Sequence, residues 1–352
     1  MTVLPGLLLA LALAFAGQFL STFIGIDLMG LPKSPISAIM MAIILGIIIR
    51  NTISLPAALQ PGIRFGLVRV LRLGIVLLGI RLSLSEAGAI GLQALPVIIG
   101  AVAAALLIVT FLAKRMGLSG KLGTLIAVGT SICGATAIVA TAPTIAAKDD
   151  EVSYAVACIT LFGVVAMLLY PFAGHWFFDA DAFKSGLFLG TAVHETSQVA
   201  GAGLVYQEYY GDPQALDVAT VTKLVRNLGM LIIIPLMSIL YHRNHADGTE
   251  APKWYTMVPL FVIGFACMSL IRTVGDMGEQ PFGGLLNPEQ WKAIVGYTKE
   301  AAELFLAIAM AAVGLGTSIK GLRDIGLKPL GAGLIAAVLV GGVSITLISL
   351  LY

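Results

Sequence analysis

The sequence predicts an all-α polytopic membrane protein, and three observations predict it. Hydrophobic residues make up 58% of the 352 positions and charged residues only 11%, where a water-soluble domain carries about 25% charge. Mean hydropathy is +0.97. About eleven apolar stretches tile the chain almost end to end, each near the roughly 20 residues that a helix needs to cross about 30 Å of hydrocarbon.

In order, the spans are expected near 3–21, 35–50, 66–83, 92–113, 122–146, 152–173, 185–206, 218–241, 255–273, 298–319 and 327–351. The first ends in Leu13-Ala14-Phe15-Ala16-Gly17, which resembles a signal-peptidase site. No Lys or Arg precedes it, so a retained helix is expected. The second closes at Arg50, and the third carries Arg69 and Arg72 on one face, where anchoring at the cytoplasmic surface accounts for both. The fourth closes at Lys114-Arg115. The fifth and seventh have glycine, hydroxyl and small residues where a lipid-facing helix would have leucine. The sixth opens after Asp149-Asp150-Glu151 and the tenth at Glu300 and Glu303, as a helix N-terminus favours carboxylates. Glu303 is kept as a candidate proton site. The stretch 274–297, with Gly283-Gly284 and Pro288, reads as a loop. Connections are otherwise short, so one integral membrane domain over 1–352 is expected.

Lys and Arg concentrate in alternate loops. Arg50, Arg64, Arg69, Lys114, Arg115, Lys121, Lys184, Arg243, Lys253, Lys320, Arg323 and Lys328 lie on one side. Only Lys33, Arg81, Lys148, Arg272, Lys292 and Lys299 lie on the other. This places the N-terminus in the cytoplasm and the C-terminus outside. Cys133, Cys158 and Cys267 all fall in apolar spans without metal-like spacing, so neither a disulfide framework nor a zinc site is implied. A net charge of +2 says little about partners, because so few charges are present; no cofactor and no nucleic-acid partner are expected.

The fifth span is centred on Gly129-Thr130-Ser131-Ile132-Cys133-Gly134-Ala135-Thr136, the seventh on Gly190-Thr191-Ala192-Val193-His194-Glu195-Thr196-Ser197-Gln198. Both centres lie about eight to ten residues inside their spans, or 12–15 Å at the helical rise, near the bilayer midplane. Small residues there also permit close helix packing. His194 and Glu195 are harder to explain that way, since ionisable residues at that depth cost about 2.5–3.5 kcal/mol each and mark function. Backbone broken at the midplane is tolerated when buried in protein or lining a cavity. Half-helix N-termini there expose N–H groups and a positive dipole end, which suits an anion. In the eighth span Lys223 and Arg226 share a helix face. Lys223 also fits a snorkelling role, while the planar fork of Arg226 suits an oxyanion.

The run Thr130-Ser131-Ile132-Cys133-Gly134-Ala135-Thr136-Ala137-Ile138, the Val193-His194-Glu195 segment with Val199-Ala200-Gly201-Ala202-Gly203 behind it, and Lys223-Leu224-Val225-Arg226 resemble the sulfate exporter family of bacterial inner-membrane proteins. That family is similar in turn to the cation/proton antiporter and bile-acid symporter superfamily. The resemblance implies a 5+5 inverted repeat, with broken helices crossing at the midplane, plus one extra helix. It also implies that a second break falls in span ten, where Gly314, Gly316, Thr317 and Ser318 lie near one end. Acidic residues typical of the antiporter crossover are missing from span five, which weighs against sodium/proton exchange. Short echoes at several offsets, such as 129–140 against 190–201, leave the repeat undemonstrated in the sequence.

The expected function is secondary transport of a small oxyanion, such as sulfate, sulfite or a sulfonate, in a bacterial inner membrane. Thr130, Ser131, Cys133, Gly134, Ala135, Thr136, Thr196, Ser197, Gln198, Lys223 and Arg226 are the candidate substrate-binding residues. His194, Glu195 and Glu303 are the candidates for proton or sodium coupling. A passive anion channel and a cation-coupled organic-acid transporter are the alternatives; a homodimer is compatible with either. His194-Glu195-Thr196-Ser197-Gln198 begins like the His-Glu-x-x-His zinc signature but ends in Gln198, so a metalloenzyme is disfavoured. No Gly-x-x-x-x-Gly-Lys nucleotide motif appears.

Overall fold

A computed structural model describes residues 3–28, 37–242, 260–277, 280–318 and 327–352, which are helical with no strand among them. Lys33, Arg243, Lys253, Lys320 and Arg323, which carry part of the charge asymmetry, lie outside the described residues, as do His245 and the start of the expected span 255–273.

Sixteen α-helices are described. They are α1 (Leu4–Thr22), α2 (Ala38–Thr52), α3 (Gln60–Phe65), α4 (Leu71–Leu78), α5 (Leu84–Ala104), α6 (Thr110–Arg115), α7 (Gly120–Ser131) and α8 (Ala135–Thr141), followed by α9 (Asp149–Phe177), α10 (Ala182–Ala192), α11 (Thr196–Tyr210), α12 (Gln214–Leu228), α13 (Met230–His242), α14 (Leu260–Gly275), α15 (Pro288–Gly316) and α16 (Leu327–Leu351). Five continuous stretches among the described residues are long and apolar enough to cross a membrane: Leu4–Leu28, Leu84–Arg115, Asp150–Phe177, Gln214–Met237 and Lys328–Leu351. Shorter apolar helices cover Ala38–Thr52, Ala135–Ile145 and Leu260–Gly275. The protein is therefore an all-α polytopic membrane protein.

The chain divides into two compact units. The first comprises Met1–Leu92, Leu204–Pro213 and Leu260–Ser318. Its helices close on small residues rather than on large apolar ones, because lipid competes for apolar surface and close van der Waals packing decides association. Ala10, Ala14, Ala42, Ala311 and Ala312 are buried where α1, α2 and α15 meet. Gly46 and Gly314 let α2 and α15 touch by backbone: a Cβ on Gly46 would lie 2.8 Å from the Ala311 carbonyl. In the same unit Arg81 donates to Glu303 Oε1 at 3.2 Å and to Gln207 Oε1 at 3.1 Å, and Gln207 donates to Glu303 Oε1 at 3.0 Å. Glu208 accepts from the Ser37 hydroxyl and from the first N–H groups of α2.

The second unit comprises Gln93–Gly203, Gln214–Pro259 and Ile319–Tyr352. Within it α7 packs on α9, α10 on α12, and α16 on α9 and α10. Leu125, Ile126, Val128, Ile132, Ile138, Ile159 and Ile234 form its apolar centre.

Two expectations are corrected. Within span ten α15 runs continuously to Gly316 and the chain extends at Thr317 (φ −88°, ψ 103°), so among the described residues no break falls at the centre of the span; no glycine or proline occurs between Gly296 and Gly314 to open the backbone. The helix also begins at Pro288, inside the expected loop, because Asn287 and Gln290 cap each other's backbone N–H at 2.7 and 3.2 Å and proline suits the first helical turn.

Candidate functional site

Both glycine-rich centres are helix breaks, and both lie in the second unit. Between α7 and α8 the chain leaves helical geometry at Ile132 (φ −120°, ψ −91°) and turns through Gly134 (φ 70°, ψ −130°). A left-handed φ of this kind costs a side-chain-bearing residue about 1–2 kcal/mol. Between α10 and α11 the chain extends at Val193 (φ −79°, ψ 139°). Thr130 and Thr191 occupy matching places, each hydroxyl donating 2.7 Å to the carbonyl four residues back. The two breaks share this hydroxyl contact but not their backbone path, since Ile132 and Val193 differ in ψ (−91° and 139°) and of the aligned pair Gly134 and Glu195 only Gly134 has a positive φ.

A helix that stops in the protein interior leaves carbonyls without partners and a negative dipole end. Lys223 and Arg226 of α12 meet both demands. The Lys223 ammonium donates to the carbonyls of Ile132 (2.8 Å), Val193 (3.1 Å) and His194. The Arg226 guanidinium donates through Nε to Ser131 (2.7 Å) and through Nη2 to Thr130. Its Nη1 reaches Thr191 (2.6 Å), Val193 (3.2 Å) and Gly190 (3.3 Å). Lys223 is 0% and Arg226 1% exposed. All three ammonium protons have an acceptor, and four of the five guanidinium N–H groups are used. The cations therefore bind the C-terminal ends of α7 and α10, and they act on anything else chiefly through their field. Neither partner is a carboxylate.

The opposite side of each break is more open. Ala135 and Thr196 are half-buried and Thr136 is exposed. Glu195 is half-buried between them, its side chain lying over Gly134, where an added Cβ would overlap Glu195 Cγ and sit 3.2 Å from Oε1. Its carboxylate accepts from the Thr160 hydroxyl at 3.2 Å and is within reach of the Ala135 N–H. Gln198 closes the start of α11, accepting from the Glu195 N–H at 3.1 Å and donating to the Thr160 carbonyl at 3.1 Å. Asn227 donates to the Thr196 hydroxyl at 3.2 Å, while its own Oδ1 is buried without a hydrogen-bond partner. His194 is 0% exposed, and neither ring nitrogen has a hydrogen-bond partner.

The structure thus brings Thr130, Ser131, Cys133, Gly134, Ala135, Thr136, His194, Glu195, Thr196, Ser197, Gln198, Lys223 and Arg226 into one region of the second unit. Their parts differ from those expected. Thr130 and Ser131 turn their hydroxyls into their own helix and offer carbonyls to Arg226. Cys133 packs its sulfur 3.4 Å from Met230 Sδ. Ser197 is buried. Glu303 belongs to the first unit, paired with Arg81. Thr160 and Gly163 of α9 escaped the sequence reading, Gly163 because its role is to leave room for Gln198.

The sequence model of the family described as conserved hypothetical protein 698 matches residues 5–333. The chain is 33% identical over 339 residues to a UPF0324 membrane protein of Fusobacterium nucleatum, covering 94% of this chain and 93% of the relative. A UPF0324 membrane protein of Streptococcus pyogenes is 35% identical over 350 residues, covering 99% and 95%. One from Bacillus cereus is 31% identical over 338 residues, covering 95% and 87%. No solved structure matches.

Proposed function

We propose that this chain, which belongs to the UPF0324 family of membrane proteins, is a secondary transporter of a small oxyanion, sulfate or a chemical relative. One observation carries the reading. Where two broken helices meet, Lys223 and Arg226 supply two positive charges and Glu195 at most one negative, and neither cation contacts a carboxylate. The C-terminal and N-terminal dipole ends at the two breaks offset one another, so an excess of one charge stays in a poorly solvated place. Buried charge without a counter-ion costs several kcal/mol, and a bound anion removes that cost.

The resemblance to the sulfate exporter family favours a sulfur oxyanion, carried across a bacterial inner membrane with the N-terminus in the cytoplasm. Thr136, Thr196 and the backbone around Ala135 are the accessible groups that would touch it. Lys223 and Arg226 would hold the breaks in shape and attract it. His194 and Glu195 are the proton-coupling candidates. No enzymatic step and no cofactor is part of this reading.

Uptake of labelled sulfate and sulfite into proteoliposomes, with and without a pH gradient, tests it. Saturable uptake with counterflow is expected. Flux that neither saturates nor shows counterflow would instead identify a passive channel. No flux of sulfate, sulfite or a sulfonate in either direction would sink the oxyanion assignment.

A further inference from the structure

Glu195 stands apart from the other charged groups of the site. Lys223 and Arg226 are 0% and 1% exposed and fixed by carbonyls, and His194 is 0% exposed, whereas Glu195 is half-buried and carried on a backbone break. Among the described residues it forms no ion pair with either cation. Its only side-chain hydrogen-bond partner there is the Thr160 hydroxyl. A hydroxyl donates to a carboxylate and accepts from a carboxylic acid equally well, so that contact survives a change of protonation. Gly134, lacking a Cβ, leaves the space in which the side chain lies.

The other groups facing Glu195 are Lys223 of α12 and the Cys133 thiol and Ala135 N–H at the first break; Arg226 and the His194 imidazole lie in the same region, within electrostatic reach of each other. With Glu195 ionised the site holds one uncompensated positive charge; with Glu195 protonated it holds two. Two positive charges are what a dianion needs.

We propose that Glu195 is the exchangeable internal counter-ion of this site: a doubly charged oxyanion binds together with one proton on Glu195. This rests on the oxyanion reading above and adds the valence of the substrate and the source of the coupling. The ionised carboxylate neutralises part of the Lys223–Arg226 charge when no substrate is bound. A dianion arriving beside it would meet like-charge repulsion unless the carboxylate takes up a proton. Proton and anion then enter as a pair, and the charge of the site closes at zero.

The experiment measures binding of sulfate, thiosulfate and methanesulfonate to the purified protein between pH 5.5 and 8.5, a range in which none of the three changes charge. Calorimetry in two buffers of different ionisation enthalpy counts protons. For the wild type, sulfate affinity should fall about tenfold per pH unit on the alkaline side of the Glu195 midpoint, as one-proton linkage requires, with one proton taken up per sulfate. Methanesulfonate, a monoanion, should bind with little pH dependence. Glu195→Gln should bind sulfate at pH 8.5 as the wild type does at its acidic plateau, with no proton uptake. The wild-type proton count stands even if that variant fails to fold. Sulfate binding that is independent of pH and takes up no proton would overturn this proposal alone. If none of the three anions binds at any pH, the oxyanion reading falls with it.

Discussion

The Lys223 ammonium and the Arg226 guanidinium share one acceptor, the Val193 carbonyl, at 3.1 and 3.2 Å. Two cations one helical turn apart repel, and the low dielectric of a protein interior sharpens that repulsion. A carbonyl dipole held between them, with six further carbonyls around them, allows both to stay buried. The same contacts satisfy the ends of α7 and α10, so the cations and the breaks depend on each other.

Arg226→Ala should therefore destabilise the protein by about 3–5 kcal/mol, because it leaves several interior carbonyls without donors and frees a place that water cannot fill well. Arg226→Lys keeps the charge but not the fork, and should recover only part of the loss. Denaturant midpoints of the detergent-solubilised protein measure both. If Arg226→Ala unfolds at the wild-type midpoint, Arg226 does not hold the breaks. Loss of transport in this variant would not by itself mark Arg226 as an anion ligand.

Much of this region was legible in the sequence. Glycine and hydroxyl residues at midplane depth mark 129–136 and 190–198 as breaks, and the i, i+3 spacing of Lys223 and Arg226 puts both on one face. What the side chains bind was not legible. A cation facing a helix break serves equally well as an anion ligand or as a cap for carbonyls, and residue type does not separate the two. The partners Thr160 and Gly163 come from a distant, plainly apolar span with no local signal. Span ten misled for the opposite reason: Gly314 serves contact between α2 and α15, and α15 continues through it to Gly316.

Gly134→Ala tests the first break. The left-handed φ costs about 1–2 kcal/mol for any L residue, and the new Cβ overlaps the Glu195 side chain. Transport should fall at least tenfold, with a modest loss of stability. In Gly134→Ala/Glu195→Ala the overlap is gone but the strain remains, so the double variant should be more stable than the sum of the two single changes predicts. Strict additivity would mean that the two side chains do not meet.

Gln198 bridges the Glu195 N–H and the Thr160 carbonyl, and Gly163 makes room for it. Gln198→Leu should cost about 1–3 kcal/mol, the cost of leaving a buried donor and acceptor unmet. Gly163→Ala should cost a similar amount by pushing Gln198 out of place. Thermal unfolding of the two single variants and of the pair should then show a shortfall from additivity, since both act on the same amide. Independent effects would separate Gly163 from Gln198.

Glu303→Gln separates the two coupling candidates. Among the described residues only Oε1 of Glu303 is used, accepting from Arg81 and from Gln207, and glutamine retains an acceptor oxygen there. The Glu303 side chain is 40% exposed but that of Arg81 only 7%, so losing the carboxylate charge costs more than the about 0–1 kcal/mol of a fully exposed pair. The variant should therefore lose about 1–3 kcal/mol of stability and keep the pH dependence of sulfate binding, while Glu195→Gln loses that dependence. Were Glu303→Gln to flatten the pH profile instead, the proton would ride on the Arg81–Glu303 pair of the first unit, and Glu195 would be left as a fixed structural carboxylate.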